Sequence, residues 1–425
     1  MKKKKHRISK RIQIFLFLIS SIVFFTGCGE EKQEKTEITV IHGWGSNEKD
    51  HIAMRQIYED FEKENPDIDI HLVSMPTSRD LIRKVGDLLF VGEMPDVIFF
   101  GGTGNNSIYY YMLKNHLAVD FVPYIKEDLE FSKNISPSNL EAWTTLEGNL
   151  YTIADTLLLS GGYWYNKDIF REAGIEKLPE SWSEFLQVCG QIEDWSLKNG
   201  KEIRPLQVSV EGYLYLVDHM FIDAGRKEAD IKKWENIGEE DFGSILDTLK
   251  TIYRYSFPDN KNYSYRDEKE LFNEGKLAIC INGVWGAPMI DEKIDAEYAL
   301  IPTDGTYKMS CESAGVGYVV GKTGDVKREE AGVRFVKYMV SNKVQERILK
   351  ETEQVPVNSE VSIEKYNKEM PRFFQGTQLV KGADVKIETP DNLWESNRKN
   401  AFQEHILELL SGQIEVNEFL ELLRL

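Results

Sequence analysis

GNLYTIADTLLLSGGYWYNKDIFREAGIEKLPESWSEFL, residues 148–186, is the stretch on which the fold turns. A short strand is expected over 150–153, followed by the apolar run 157–159. The chain then passes through Gly161 and Gly162 into 163–165, which alternates like a strand buried on both faces. From there the pattern becomes helical. Asn166 can cap a turn over 167–173, and Gly174 ends it, since a position of positive φ suits a residue without a side chain. Pro179 stops the chain before the next helix, which opens with Ser181 and Glu184 in capping-box spacing. Taken alone, this is the strand–turn–helix of any α/β domain.

The order GNLY, a short variable piece, YNKDIF, AGI and then PESWSEF resembles the first crossover of the bacterial extracellular solute-binding proteins of the maltose-binding type (family 1). In that family the segment leaves one lobe, passes the hinge and builds the second. Further matches follow in the same order. FNEGKLAICINGVW (272–285) resembles a strand that ends in a glycine and a tryptophan at the cleft, departing from the family at Ile279 and Cys280. Residues 298–302 resemble a short strand closed by proline, and SAGVGYVV (313–320) the return strand through the hinge. NLWESNRKNAF (392–402) falls where the family places an aromatic facing the cleft, and SGQIEVNEFL (411–420) resembles its closing helix. The resemblance covers nearly the whole mature chain. It implies an α/β, two-lobed periplasmic-binding-protein-like fold of type II, with discontinuous lobes joined by a hinge. Lobe 1 would hold 37–154 and 309–350, lobe 2 155–308 and 351–425.

Composition agrees with a folded chain of more than one domain: 425 residues, 41% hydrophobic, 29% charged and 13 prolines. The formal charge is −18, and the first 27 residues hold seven of the 52 basic residues and no acidic one. The remainder therefore carries 45 basic against 70 acidic residues, a formal −25. Such a surface repels nucleic acid and anionic headgroups, so no nucleic-acid partner is expected.

The amino terminus reads as a targeting segment. Seven basic residues precede an apolar run, 14–25, too short for an ordinary membrane-spanning helix, and Thr26 and Gly27 lead to Cys28. This resembles the bacterial lipoprotein signal, in which 1–27 is removed and the cysteine is lipidated (palmitate among the acyl chains); Phe25 stands where leucine is usual. An uncleaved anchor is the other reading. Residues 28–36 form a polar tether. After Cys28, Cys189, Cys280 and Cys311 remain, an odd number without redox or zinc spacing, and the first two are expected in the core.

Strands over 37–42, 68–73 and 96–100 alternate with helices marked by Ala53, Ile57 and Phe61 and by 79–90, which implies parallel βαβ units. Ligands collect at the carboxyl ends of such strands. Two loops sit there: GWGSN, with Trp44, Ser46 and Asn47, and GGTGNNS after Phe100, with Thr103 and Asn105. Neutral hydrogen-bonding groups beside aromatic faces suit an uncharged sugar, although Gly and Asn also fill tight turns for backbone reasons. From the resemblance, Asp155, Thr156 and Ser313 at the hinge and Trp285 and Trp394 in the second lobe complete the expected ligand-binding set; core packing is the competing reading for a tryptophan.

Catalytic patterns are sparse. Seven histidines include no H-E-x-x-H and no paired ligand spacing, and no G-x-S-x-G elbow occurs. No cofactor, metal or catalytic residue is expected. The resemblance implies a monomeric, lipid-anchored carrier outside the cell that captures a sugar or oligosaccharide and delivers it to the permease subunits of an ABC transporter. A surface enzyme acting on glycans and a sensor docking on a membrane histidine kinase are the rival readings.

Overall fold

The computed structural model describes residues 35–102, 106–234, 237–257 and 263–424. The expected signal segment, Cys28, most of the tether, Thr103 and Asn105 lie outside the described residues. Three four-stranded sheets form the frame.

The first sheet runs in the order Gly317–Val320, Val97–Gly101, Thr36–His42, Ile68–Ser74. Thr36–His42 pairs in parallel with both Ile68–Ser74 and Val97–Gly101, as the strand–helix alternation predicts. Helix Lys49–Glu64 turns Met54, Ile57, Tyr58 and Phe61 inward, positions spaced to share one helical face. Burying each such side chain is worth ~1.5–3 kcal/mol. The next helix, Ser78–Phe90, starts where Thr77 accepts the Asp80 N–H. The core over this sheet draws on residues 38–154 and again on 314–357.

The second sheet has the order Arg204–Leu206, Leu277–Ile281, Gly162–Asn166, Ala296–Leu300. Helices Trp182–Lys198, Val210–Asp223, Glu239–Arg254, Ser396–Leu410 and Val416–Arg424 contribute to its core. Asn166 caps its turn as expected, accepting the N–H groups of Asp168 and Ile169, and Gly174 has a φ of +77°. Ser181 accepts the Glu184 N–H at 3.2 Å, but the Glu184 carboxylate takes the N–H of Glu180 rather than that of Ser181.

Between these lies a third sheet, Val355–Pro356, Thr156–Ser160, Met309–Ala314, Val385–Ile387. Thr156–Ser160 and Met309–Ala314 are antiparallel, with Leu157 opposite Ala314 and Ser160 opposite Cys311. One continues into Gly162–Asn166, the other into Gly317–Val320, so this sheet is the connection between two lobes. The strand expected over 150–153 is reduced to single bridges, Thr144 with Leu150 and Ile153 with Tyr318. A Cβ on Gly317, whose φ is +67°, would collide with the Ile153 carbonyl and Ala154; the crossing segments approach too closely for a side chain there. Cys189, Cys280 and Cys311 are buried and free.

Candidate ligand-binding cleft

A cavity of about 1050 Å³ opens between the lobes. The strands Thr36–His42, Ile68–Ser74 and Val97–Gly101 point their carboxyl ends at it, and the loops that follow bring Gly43, Trp44, Pro76, Thr77, Ser78, Arg79, Gly101, Gly102 and Asn106 to its wall. From the second lobe, the loop after Arg204–Leu206 delivers Val210 and Glu211. The turn after Leu277–Ile281 delivers Trp285 and Met289, and the hinge adds Thr156, Leu158, Thr352 and Gln354.

Of the expected residues, Trp44, Phe100, Thr156 and Trp285 meet at this wall. Trp44 is held from several sides. Its ring stacks on Phe99 at 5.3 Å between centroids and meets His51 edge-on at 5.1 Å. Its indole N–H donates to the Tyr58 hydroxyl at 3.1 Å, and its backbone N–H donates to His42 Nδ1 at 3.1 Å. Burial first, then the nearby Arg55 and His51, pushes His42 down to about 4. His42 is therefore neutral, accepting at Nδ1 and carrying its proton on Nε2 toward Ser74 Oγ, 3.2 Å away. Trp285 folds its ring back over Gly283, where any Cβ would collide with it. This gives the glycine before that tryptophan a physical reason.

Ser46 and Asn47 do not line the cavity. Ser46 closes its own loop, accepting the Glu48 N–H at 3.1 Å and donating its backbone N–H to His51 Nδ1 at 3.1 Å, and Asn47 is exposed. Asp155 and Ser313 are buried behind the wall: Ser313 Oγ lies 2.9 Å from Thr389 Oγ1, and Asp155 accepts the Tyr318 hydroxyl at 2.9 Å. Trp394 is a correction. It is 0% exposed, packs at 4.5 Å on Trp234 and 5.1 Å on Phe402, and donates its indole N–H to Asp218 at 2.8 Å. The helix it introduces does reach the cleft, but through Ser396, Lys399, Asn400, Gln403 and Glu404. Their spacing makes one polar helical face, a signal the sequence carried. The wall residues Thr77, Ser78 and Arg79 were legible only as a helix start.

Glu48, Asp50 and His51 place ligand-type atoms within 4.8 Å of one another at the rim. Two of them are engaged by the protein itself: Glu48 binds Lys269 at 2.9 Å and His51 Nδ1 accepts the Ser46 N–H. Among the described residues no helix is long and apolar enough to cross a membrane.

A cleft built by both lobes over a narrow hinge sheet defines a ligand-capturing receptor. The chain belongs to the bacterial extracellular solute-binding proteins, whose family model matches residues 45–346. It is similar to the multiple sugar-binding protein of Streptococcus mutans, 24% identical in an alignment of 380 residues, with 80% of each chain covered. In fold it resembles a Streptococcus pneumoniae solute-binding protein solved with the blood group A-trisaccharide, with 21% identity, a TM-score of 0.74 and coverage of 91% of this chain and 98% of that one. A chitin oligosaccharide binding protein superposes with a TM-score of 0.75 at 17% identity, over 91% and 97% of the two chains.

Proposed function

We propose that this protein captures a sugar, and by preference an oligosaccharide, in the cleft between its lobes and hands it to the permease subunits of an ABC transporter. The observation that carries this is the cleft itself. Trp44, Tyr215 and Trp285 supply ring faces for sugar C–H groups, beside neutral hydroxyls and amides and charged groups of both signs that can bond sugar hydroxyls; Phe100 is buried beneath the wall. About 1050 Å³ stands at the top of the ~300–1000 Å³ range of small-molecule sites, which favours several sugar rings over one. The sugar-binding relatives support the same reading.

Lobe 1 is assigned 37–154 and 309–350 and lobe 2 155–308 and 351–425, with the hinge at their joins. Closure would bring both walls onto one ligand, and that difference in contact is what shifts the population. The protein acts as a carrier without catalysis and is held outside the cell by lipidated Cys28.

The test is calorimetric titration of the full chain with chitin oligosaccharides, raffinose, malto-oligosaccharides and the blood group A-trisaccharide, with chromatography of the mixtures. Stoichiometric binding to one class without product is expected. Turnover would replace the carrier by an enzyme, and no binding or thermal shift across the panel would remove the sugar reading.

A further inference from the structure

A buried chain of hydrogen bonds runs from the cleft wall to the hinge. The Trp44 indole N–H donates to the Tyr58 hydroxyl at 3.1 Å. The Tyr58 and Tyr318 hydroxyls are 2.8 Å apart. Tyr318 donates to Asp155 Oδ2 at 2.9 Å. An indole N–H can only donate and an ionised carboxylate can only accept. With those two ends fixed, the chain has a single sense: Tyr58 donates to Tyr318, and Tyr318 to Asp155.

Four separate elements meet in it. Trp44 follows the strand Thr36–His42, Tyr58 lies on the helix Lys49–Glu64, Tyr318 on the strand Gly317–Val320, and Asp155 immediately precedes the crossing strand Thr156–Ser160. Gln345 extends the tie. Its amide N–H donates to the Asp155 carbonyl at 2.8 Å, and its amide oxygen accepts the Val357 N–H at 2.9 Å, next to the strand Val355–Pro356.

We propose that Asp155, Tyr318 and Tyr58 are positioning residues that set the orientation of the Trp44 ring and couple it to the hinge, so that protonation of Asp155 loosens the cleft wall. The proposal rests on the reading of Trp44 as a cleft residue.

Protonated Asp155 can donate as well as accept, so the sense of the chain is no longer fixed. In the reversed sense the Tyr58 hydrogen is driven toward the Trp44 N–H, and two donors face each other. Burial, opposed in part by the Tyr318 bond, pushes Asp155 up to about 6. Its surroundings do not cancel this. Tyr318 and Tyr58 are held protonated by burial, Gln345 is neutral, and the Thr156 hydroxyl is 3.5 Å away. His42, 5.2 Å edge-on from Tyr58, is neutral, and Arg55 is occupied with the carbonyls of Trp44 and Ser46. No cation pairs with Asp155 among the described residues. Its folded-state value is raised, so its stabilising contribution is full below its ordinary value of 3.8 and is lost as pH rises through about 6. At neutral pH the ionised group is therefore a cost to the fold, and Asp155→Asn should leave the melting temperature at pH 7 no lower.

The experiment follows the indole N–H signals of the full chain labelled with 15N on tryptophan, with the Trp44 signal assigned by its loss in Trp44→Phe. In the wild type that signal should move with pH around a midpoint near 6. It should stay flat in Asp155→Asn and in Tyr318→Phe, and exchange with solvent roughly tenfold faster in Tyr58→Phe, the change expected for losing about 1.4 kcal/mol of protection. A signal indifferent to pH across that range overturns the proposal. So does a titration that persists in Asp155→Asn, which would belong to His51 at the ring edge. No sugar is added, so failure here is distinct from failure of the sugar panel.

Discussion

Lys269 Nζ lies 2.9 Å from Glu48 Oε1, so a helix of the second lobe grips the loop that opens the first helix of the first lobe, 221 residues away in sequence. The bond to Lys269 holds the Glu48 carboxyl below its ordinary value. The pair joins the two lobes beside the cleft residues Asp50 and His51, a placement that predicts a latch on the cleft. Its strength is limited because Glu48 keeps 37% of its side chain in solvent. Pairs of this kind are worth ~0–1 kcal/mol after screening, enough to change an open-to-closed ratio by roughly up to fivefold. Lys269→Met should enlarge the radius of gyration of the unliganded protein in solution scattering, and high salt should enlarge that of the wild type. A radius unmoved by both would make the contact incidental.

The tryptophans of the second lobe should separate by role. Trp285 lines the cleft and Trp394 is core. Trp285→Ala is expected to weaken sugar binding by ~1–3 kcal/mol, roughly 5- to 150-fold, at a nearly constant melting temperature. Trp394→Ala should instead cost ~3–5 kcal/mol of stability through the cavity it leaves, and it also deprives Asp218 of its indole donor. Equal melting temperatures for the two variants would contradict the assignment.

Glu268 is buried in the second lobe, accepting the N–H groups of Ile281 at 2.8 Å and Ser209 at 3.3 Å, and burial pushes it up to about 8 despite those bonds. Because its value is raised in the folded state, its contribution is fully present below 4.5 and lost as pH rises through about 8. The wild type should lose stability across that window by on the order of 1 kcal/mol per pH unit. Glu268→Gln removes the titration. Denaturation curves taken from acid to mildly basic pH should show the variant gaining on the wild type as pH rises. A constant difference between the two would assign the slope to other groups.

Anchoring is tested apart from the fold. Cys28→Ala is expected to abolish incorporation of radiolabelled fatty acid and to release or mislocalise the protein, while sugar binding stays as it was. Membrane retention in that variant, with no label on the wild type, would count against the lipid.

What could be read in the sequence divides along a physical line. Asn166, Gly174 and the parallel strand–helix alternation depend on neighbours a few residues away, so local pattern sufficed for them. Trp394 did not yield to the same reading, because whether a ring at a helix entrance faces a cleft or a core is decided by Trp234 and Asp218, which the chain brings from elsewhere. Arg79 and Glu211 were missed for the same reason: the cavity exists only where distant segments converge. Asp155 and Ser313 sit at the hinge as expected, yet neither reaches the wall: Asp155, one residue before Thr156, falls on the other side of the chain, and Ser313, opposite the cleft residue Leu158, is covered by Thr389.

The first lobe's core joins residues 38–154 to residues 314–357, and the strand Gly317–Val320 pairs along the edge of its sheet. A ribosome making this chain therefore releases the opening third long before its packing partners exist. Non-local completion of this sort delays folding, since the ends of a long loop must meet before their contacts reward the closure. If the chain is exported as an extended strand, as the proposed function requires, that delay would be useful: the order of synthesis itself postpones the compact state until most of the chain has been made.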